Sequence, residues 1–159
     1  MSILVYTESE KGKLKKNAFE VASYGFALGQ ITREEVVAVA INSENTAELG
    51  TYGISKALQI QNSTLDVFNA KGYAKAIHQA AESVGAKTII VSSSADTKFL
   101  APILAGMMQA GYVPNVVASP ESTSPLTVKR TAFSNKGFAF TAIQSENSII
   151  GVSNNAFGT

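Results

Sequence analysis

The sequence predicts a three-layer α/β/α sandwich whose sheet is mostly parallel, with antiparallel strands at the C-terminal end. Three observations predict it. Short apolar runs alternate with helical stripes as far as residue 117, and the runs at 36–41 and 88–91 are continuous rather than alternating, as strands covered on both faces should be. From residue 126 onward, three strand-like runs follow one another with no helix between them.

The elements follow in order. Ile3-Leu4-Val5-Tyr6 is a short apolar strand that stops at Thr7-Glu8-Ser9-Glu10. Ala18, Val21, Ala22, Gly25 and Leu28 recur at helical spacing; their small members let a helix approach a sheet closely, and Gly29 is a natural terminator. Val36 to Ile41 is a buried strand. Residues 42–56 are polar and punctuated by glycine, with a short helix near Thr46 to Leu49, before a weaker strand at Ala57 to Ile60. Ala74, Ile77, Ala81 and Val84 line a second helix closed by Gly85, and Thr88 to Val91 leads into Ser92-Ser93-Ser94-Ala95-Asp96. Leu100, Ile103, Leu104, Met107 and Met108 mark a third helix ended by Gly111, with Pro102 expected in its first turn. Val113 to Val117 is a further strand. Leu126 to Phe133, Phe138 to Ile143 and Ile149 to Val152 complete the set. Parallel neighbours need a crossover of about a dozen residues, so these last three are expected to pair antiparallel at one sheet edge.

The 159 residues suit one domain, burying roughly 70% of the unfolded surface without a staple. Thirteen Lys and Arg against twelve Asp and Glu give a net charge of +1, and only 16% of residues are charged. That balance argues against binding driven by phosphate neutralisation, hence against a nucleic-acid partner. Hydrophobic residues reach 45%, so part of the surface is expected to be covered by a partner. There is no cysteine, which excludes disulfides, thiolate metal sites and a cysteine nucleophile. His78 is the single histidine and the carboxylates do not cluster, so no metal site is expected. The apolar stretch 2–7 is too short for a signal or a membrane span, which points to a cytoplasmic protein without membrane insertion. Asn62-Ser63-Thr64 fits the glycosylation sequon and is expected to be idle there.

His78 flanks a helix stripe with no partner at a defined spacing, and no Gly-x-Ser-x-Gly elbow occurs, so hydrolase chemistry is rejected and no residue is assigned as catalytic. Open α/β sheets bind ligands beyond the carboxyl ends of their strands, which makes Thr7, Glu8, Ser92, Ser93 and Ser94 weak nucleotide-site candidates. Neither Gly-x-Gly-x-x-Gly nor a Walker loop supports them, and capping by Ser94 or Asp96 is the simpler role. Lys11, Lys13, Lys15 and Lys16 form a local basic cluster, which either steers an acidic partner or is simply solvated. Phe133, Phe138 and Phe140 stand in strands apolar on both sides, and the second side is to be covered by a helix or by a partner.

Three segments together resemble the N-terminal domain of the electron transfer flavoprotein alpha subunit: Ile3 to Glu8, Phe99-Leu100-Ala101-Pro102, and the terminal strands. Val128 to Asn135 is similar to the family's Val-Arg-Pro-Ile-Tyr-Ala-Gly-Asn stretch, and Asn154-Asn155-Ala156-Phe157 to its closing Arg-x-x-Ala-Phe. The chain departs from the family pattern at Ile103, at Asn115 and at the closing Arg, while Glu8 and Arg130 are retained. The resemblance covers essentially the whole chain as a single domain, 1–159, and implies an adenine nucleotide alpha hydrolase-like fold. It further implies an alpha–beta heterodimer holding FAD mainly in a C-terminal domain that this chain lacks. Such a protein carries electrons from flavoprotein dehydrogenases, such as the acyl-CoA dehydrogenases of fatty acid oxidation, to a membrane quinone reductase. This domain would then be scaffold and subunit interface without a cofactor of its own, with Arg130, Phe133, Asn135 and Phe138 as the interface candidates. The competing reading is a stand-alone nucleotide-binding module of universal-stress-protein type, which shares the architecture but carries a Gly-rich phosphate loop, absent here after Val91.

Overall fold

The computed structural model describes residues 2–123, 125–132 and 137–159. In chain order these form β1 (Ser2–Tyr6), a small hairpin of β2 (Ser9–Glu10) and β3 (Lys13–Leu14), α1 (Lys16–Thr32), β4 (Glu35–Ile41), a 3-10 helix (Ala47–Tyr52) and β5 (Lys56–Ile60). After a 3-10 turn (Ser63–Leu65) come α2 (Ala70–Val84), β6 (Ala86–Ser92), α3 (Ala95–Met108) and β7 (Gly111–Val116). The chain closes with β8 (Ser122–Thr123), β9 (Leu126–Ala132), β10 (Gly137–Ile143) and β11 (Ser148–Val152).

The sheet runs β10-β9-β7-β11-β6-β1-β4-β5, with β8 also paired to β9. Every pair from β7 to β5 is parallel, and β9 is antiparallel to β7, β8 and β10. The α/β/α sandwich with a mostly parallel sheet is therefore the fold. One expectation is overturned: β11 does not join the antiparallel edge but inserts, parallel, between β6 and β7. Residues 117–147 supply the crossover such a pairing requires, using strands where a helix is usual. Its sequence, Ser-Ile-Ile-Gly-Val, is buried throughout, as a strand covered on both faces must be.

Two apolar layers flank the sheet. On one face α1 packs Val21 and Leu28 against Ile3, Val5, Val36, Ile90 and Ile150. On the other, Ile77 of α2 and Leu100 and Leu104 of α3 pack against Leu4, Val37, Ile89 and Ile149. Close approach explains the glycines of α1. A Cβ on Gly25 would lie 2.5 Å from a Val5 methyl, and one on Gly29 would lie 2.7 Å from the Glu34 carbonyl oxygen. Gly29 therefore does not end α1, which runs on to Thr32 and is capped by left-handed Arg33, whose N–H reaches the Gly29 carbonyl. Likewise α3 ends at left-handed Gln109, and Gly111 opens β7. Pro102 sits in the middle of α3, beyond the first turn, where it removes one helical N–H. The helix tolerates this because Leu100, Ala101 and Leu104 are fully buried beside it.

Register fixes which way β9 and β10 face. Val116 of β7 pairs with Arg130, and Val116, Val128 and Ile143 belong to the α1 layer. Lys129 and Thr131, paired with Phe140 and Phe138, consequently face the side of α2 and α3.

Candidate functional site

The strand order reverses between β1 and β6: β4 and β5 extend to one side of β1, and the chain returns with β6 on the other. Ligands of open α/β sheets bind at such a reversal, beyond the carboxyl ends of the strands. Here that place is held by Glu8, one turn of loop after β1 and only 3% exposed. Ser92, at the end of β6, donates its hydroxyl to Glu8 Oε1. Asn17, in the first turn of α1, donates Nδ2 to the same oxygen at 3.3 Å. Lys15 Nζ lies 3.3 Å from Oε2, and Ser94 Oγ stands 3.1 and 3.0 Å from the two carboxylate oxygens. Ser94 also accepts the Thr97 N–H at 3.2 Å and so caps α3.

Of the five residues singled out at this edge, the structure brings together Glu8, Ser92 and Ser94. Thr7 turns away and donates its hydroxyl to the Val39 carbonyl at 3.0 Å, tying β1 to β4. The Ser93 hydroxyl is buried outside the cluster, with no hydrogen-bond partner among the described residues. Sequence reasoning missed Asn17, whose amide no local pattern connects to Glu8. It also read Lys15 only as part of a basic run. That run disperses: Lys11 forms the left-handed turn of the β2–β3 hairpin, Lys13 is exposed, Lys15 neutralises Glu8, and Lys16 donates to Asn155 Oδ1 at 2.6 Å.

Chemically the cluster is a satisfied acceptor: one carboxylate with three neutral donors, two serine hydroxyls and an asparagine amide, and one ammonium. Burial, followed by the Glu8 carboxylate and more weakly by Tyr73 and Asp96, holds the nearby Tyr6 phenol well above its ordinary range. The C-terminal segment closes over the α1 side. Asn155 N–H donates to Glu20 Oε2 at 3.0 Å, and the Phe157 ring meets Tyr24 edge-on with centroids 5.0 Å apart. His78 keeps its place on the flank of α2, with Nε2 3.9 Å from Glu82 Oε1, an i,i+4 pair on the surface. Among the described residues no three His, Cys, Asp or Glu side chains gather as a metal site, and no helix is long and apolar enough to cross a membrane.

The second candidate region is the β9–β10 ribbon. Phe138 and Phe140 are each 58% exposed, on a face where Lys129 Nζ lies 4.4 Å from the Phe138 ring centroid. Arg130 points to the opposite face, where its Nε donates to Thr141 Oγ1 at 2.7 Å across the strand pair. Phe133 and Asn135, the other interface candidates, lie outside the described residues. Lys129 was missed, although alternation along Val128-Lys129-Arg130-Thr131 sets it on the phenylalanine face.

A mostly parallel sheet between helical layers, with its carboxyl edge filled by side chains of the same chain and an antiparallel ribbon at its end, places the chain among three-layer α/β/α domains. The chain belongs to the electron transfer flavoprotein domain family, whose model matches residues 3–159. It is 25% identical over 137 residues, 86% of its length, to the electron transfer flavoprotein subunit alpha of Bacillus subtilis (strain 168). The matched region is 42% of that relative's length.

Proposed function

We propose that this chain serves as the N-terminal domain of an electron transfer flavoprotein alpha subunit, a scaffold that holds a beta subunit rather than a centre of redox chemistry. The observation that carries the reading is the family match, which runs through every strand of the sheet from β1 to β11 and the closing Phe157 segment. In the complete heterodimer an FAD, bound in a further domain of the alpha subunit, carries electrons between flavoprotein dehydrogenases and a quinone reductase, in the cytoplasm and at the membrane surface. Acyl-CoA dehydrogenases, and hence fatty acid oxidation, are the donor class that the resemblance favours.

The residues of this domain do not fit the dinucleotide itself. A pyrophosphate at the sheet reversal would meet the buried Glu8 carboxylate, whose nearest cation, Lys15, is already paired with it. The same carboxylate weighs against a nucleotide-binding module of universal-stress-protein type. The subunit interface is assigned to the β9–β10 ribbon, where Phe138 stands with Arg130 bracing it from behind, and by sequence to Phe133 and Asn135.

The test is co-expression of the chain with an electron transfer flavoprotein beta subunit, followed by capture and a visible absorption spectrum of each pure component. Capture of the beta subunit, with no flavin on the isolated chain, is the expected result. Stoichiometric flavin on the chain alone, or no complex, overturns the reading.

A further inference from the structure

We infer that the face of β9 and β10 beside α3 is a vacant helix position, filled in the complex by an acidic amphipathic helix of the partner subunit; this rests on the reading above. Elsewhere in the sheet, helices cover this face: α2 and α3 pack over the strands from β4 to β7. Beyond β7 the sheet continues for two more strands with Phe138 and Phe140 exposed. Their opposite face puts Val128 (0% exposed) and Ile143 (6%) into the α1 core and keeps its other residues half-buried. One side of the ribbon is thus core and the other is unfinished core.

The dimensions of the slot suit a single helix. Two strands about 4.8 Å apart make a strip about 10 Å wide, the diameter of one helix. The seven residues of β10 span about 23 Å, which a helix of about 15 residues matches. A strand added along the free outer edge of β10 would pair backbone and leave the phenylalanine rings uncovered, so the edge does not explain the face.

Charge specifies the helix further. Lys129 rises from the floor of the slot over Phe138 and makes no ion pair among the described residues. Lys98 stands on the wall. Met107 shares a small cavity with His78 and Glu82 of α2, and Lys98, nine positions earlier on α3, lies half a turn round, on the flank away from α2. The acidic residue of α3, Asp96, acts instead on Tyr73 of α2. Among the described residues, register and helix geometry set two cations and no acid beside this aromatic floor, which calls for a helix with an apolar stripe edged by Asp or Glu.

The test compares hydrogen exchange of the chain alone and in complex with the beta subunit, together with the affinities of Lys129→Glu and Lys98→Glu. Both sites are at the surface, and thermal melts check that each variant folds. Protection of 126–132 and 137–143, a protected helical segment carrying Asp or Glu in the partner, and at least a tenfold weakening by Lys129→Glu that an acid-to-Lys change in that segment restores, are expected. A complex with the ribbon unprotected, a partner strand on the β10 edge, or unchanged affinity for both variants overturns the helix slot and leaves the scaffold reading standing. Absence of any complex with the wild-type chain overturns both.

Discussion

The carboxyl edge at Glu8 and the ribbon at Phe138 are opposites in how they treat water. At the first, a polar group is buried and supplied with partners from four residues of the same chain. At the second, apolar rings are left in solvent with one lysine leaning over them. A carboxyl edge kept open for a ligand would show the reverse arrangement, with an open polar cleft and a closed ribbon. The contrast teaches that the sheet reversal is closed by the chain's own polar side chains, while the apolar rings left in solvent gather at the end of the sheet.

Substitutions that remove support from the closed region should have the largest effects. Ile150→Ala, in the centre of β11, is expected to destabilise the domain by about 3 kcal/mol in denaturant unfolding, because the side chain is fully buried between layers. Glu8→Ala follows at about 2 kcal/mol, since it strands the Ser92 hydroxyl, the Asn17 amide and the Lys15 ammonium, and Glu8→Gln should recover part of that by keeping one acceptor. A neutral result for Glu8→Ala would dissolve the contrast, for it would mean that the carboxylate is held without being needed.

The closed region also predicts an alkaline limit. Burial raises the pKa of Tyr6 and of Tyr24, whose hydroxyl donates to the Ala118 carbonyl at 2.9 Å. Below about pH 10 both phenols are protonated in either state and this stabilisation is fully present. Above it the unfolded chain loses protons that the native one retains, so stability falls by about 1.4 kcal/mol per pH unit for each tyrosine. Unfolding curves between pH 9.5 and 11 should show a shallower slope in Tyr24→Phe, with Tyr6 and the half-buried Tyr73 and Tyr112 phenols carrying the remainder, and the substitution itself lowers stability by about 1 kcal/mol near neutrality. An unchanged slope in the variant would show that Tyr24 ionises as freely when folded as when unfolded.

What the sequence made legible follows from what is local. The strands of the parallel core and the stripe of α2 rest on apolar spacing and on Gly85, and they stand where the spacing puts them. Glu8, Ser92 and Ser94 were legible as a group because the sheet rule brings strand ends together. The insertion of β11 between β6 and β7 was not, because a register choice between two possible neighbours is made by burial across the whole sheet. Gly29 and Pro102 were misplaced for a related reason: tertiary contacts of α1 and α3 outweigh the local signals that end helices. Asn17 contributes to the Glu8 cluster from a position nine residues away, and nothing in that spacing marks it.

The smallest expected effect on stability is the one that separates the two regions most sharply. Phe140→Ser should shift unfolding free energy by no more than about 0.5 kcal/mol, because the ring is 58% exposed and its strand is held by backbone pairing to β9 and by the Arg130–Thr141 hydrogen bond on the other face. Phe138→Asp should behave in the same way while abolishing capture of the beta subunit, since the carboxylate would sit in the path of an apolar stripe that is itself edged with acids. If either substitution unfolded the domain, the rings would be core after all and the slot closed. Equal stability with lost binding is the pattern that only an unfinished face produces, because a residue already packed cannot be removed without cost and a residue merely solvated cannot be missed by a partner.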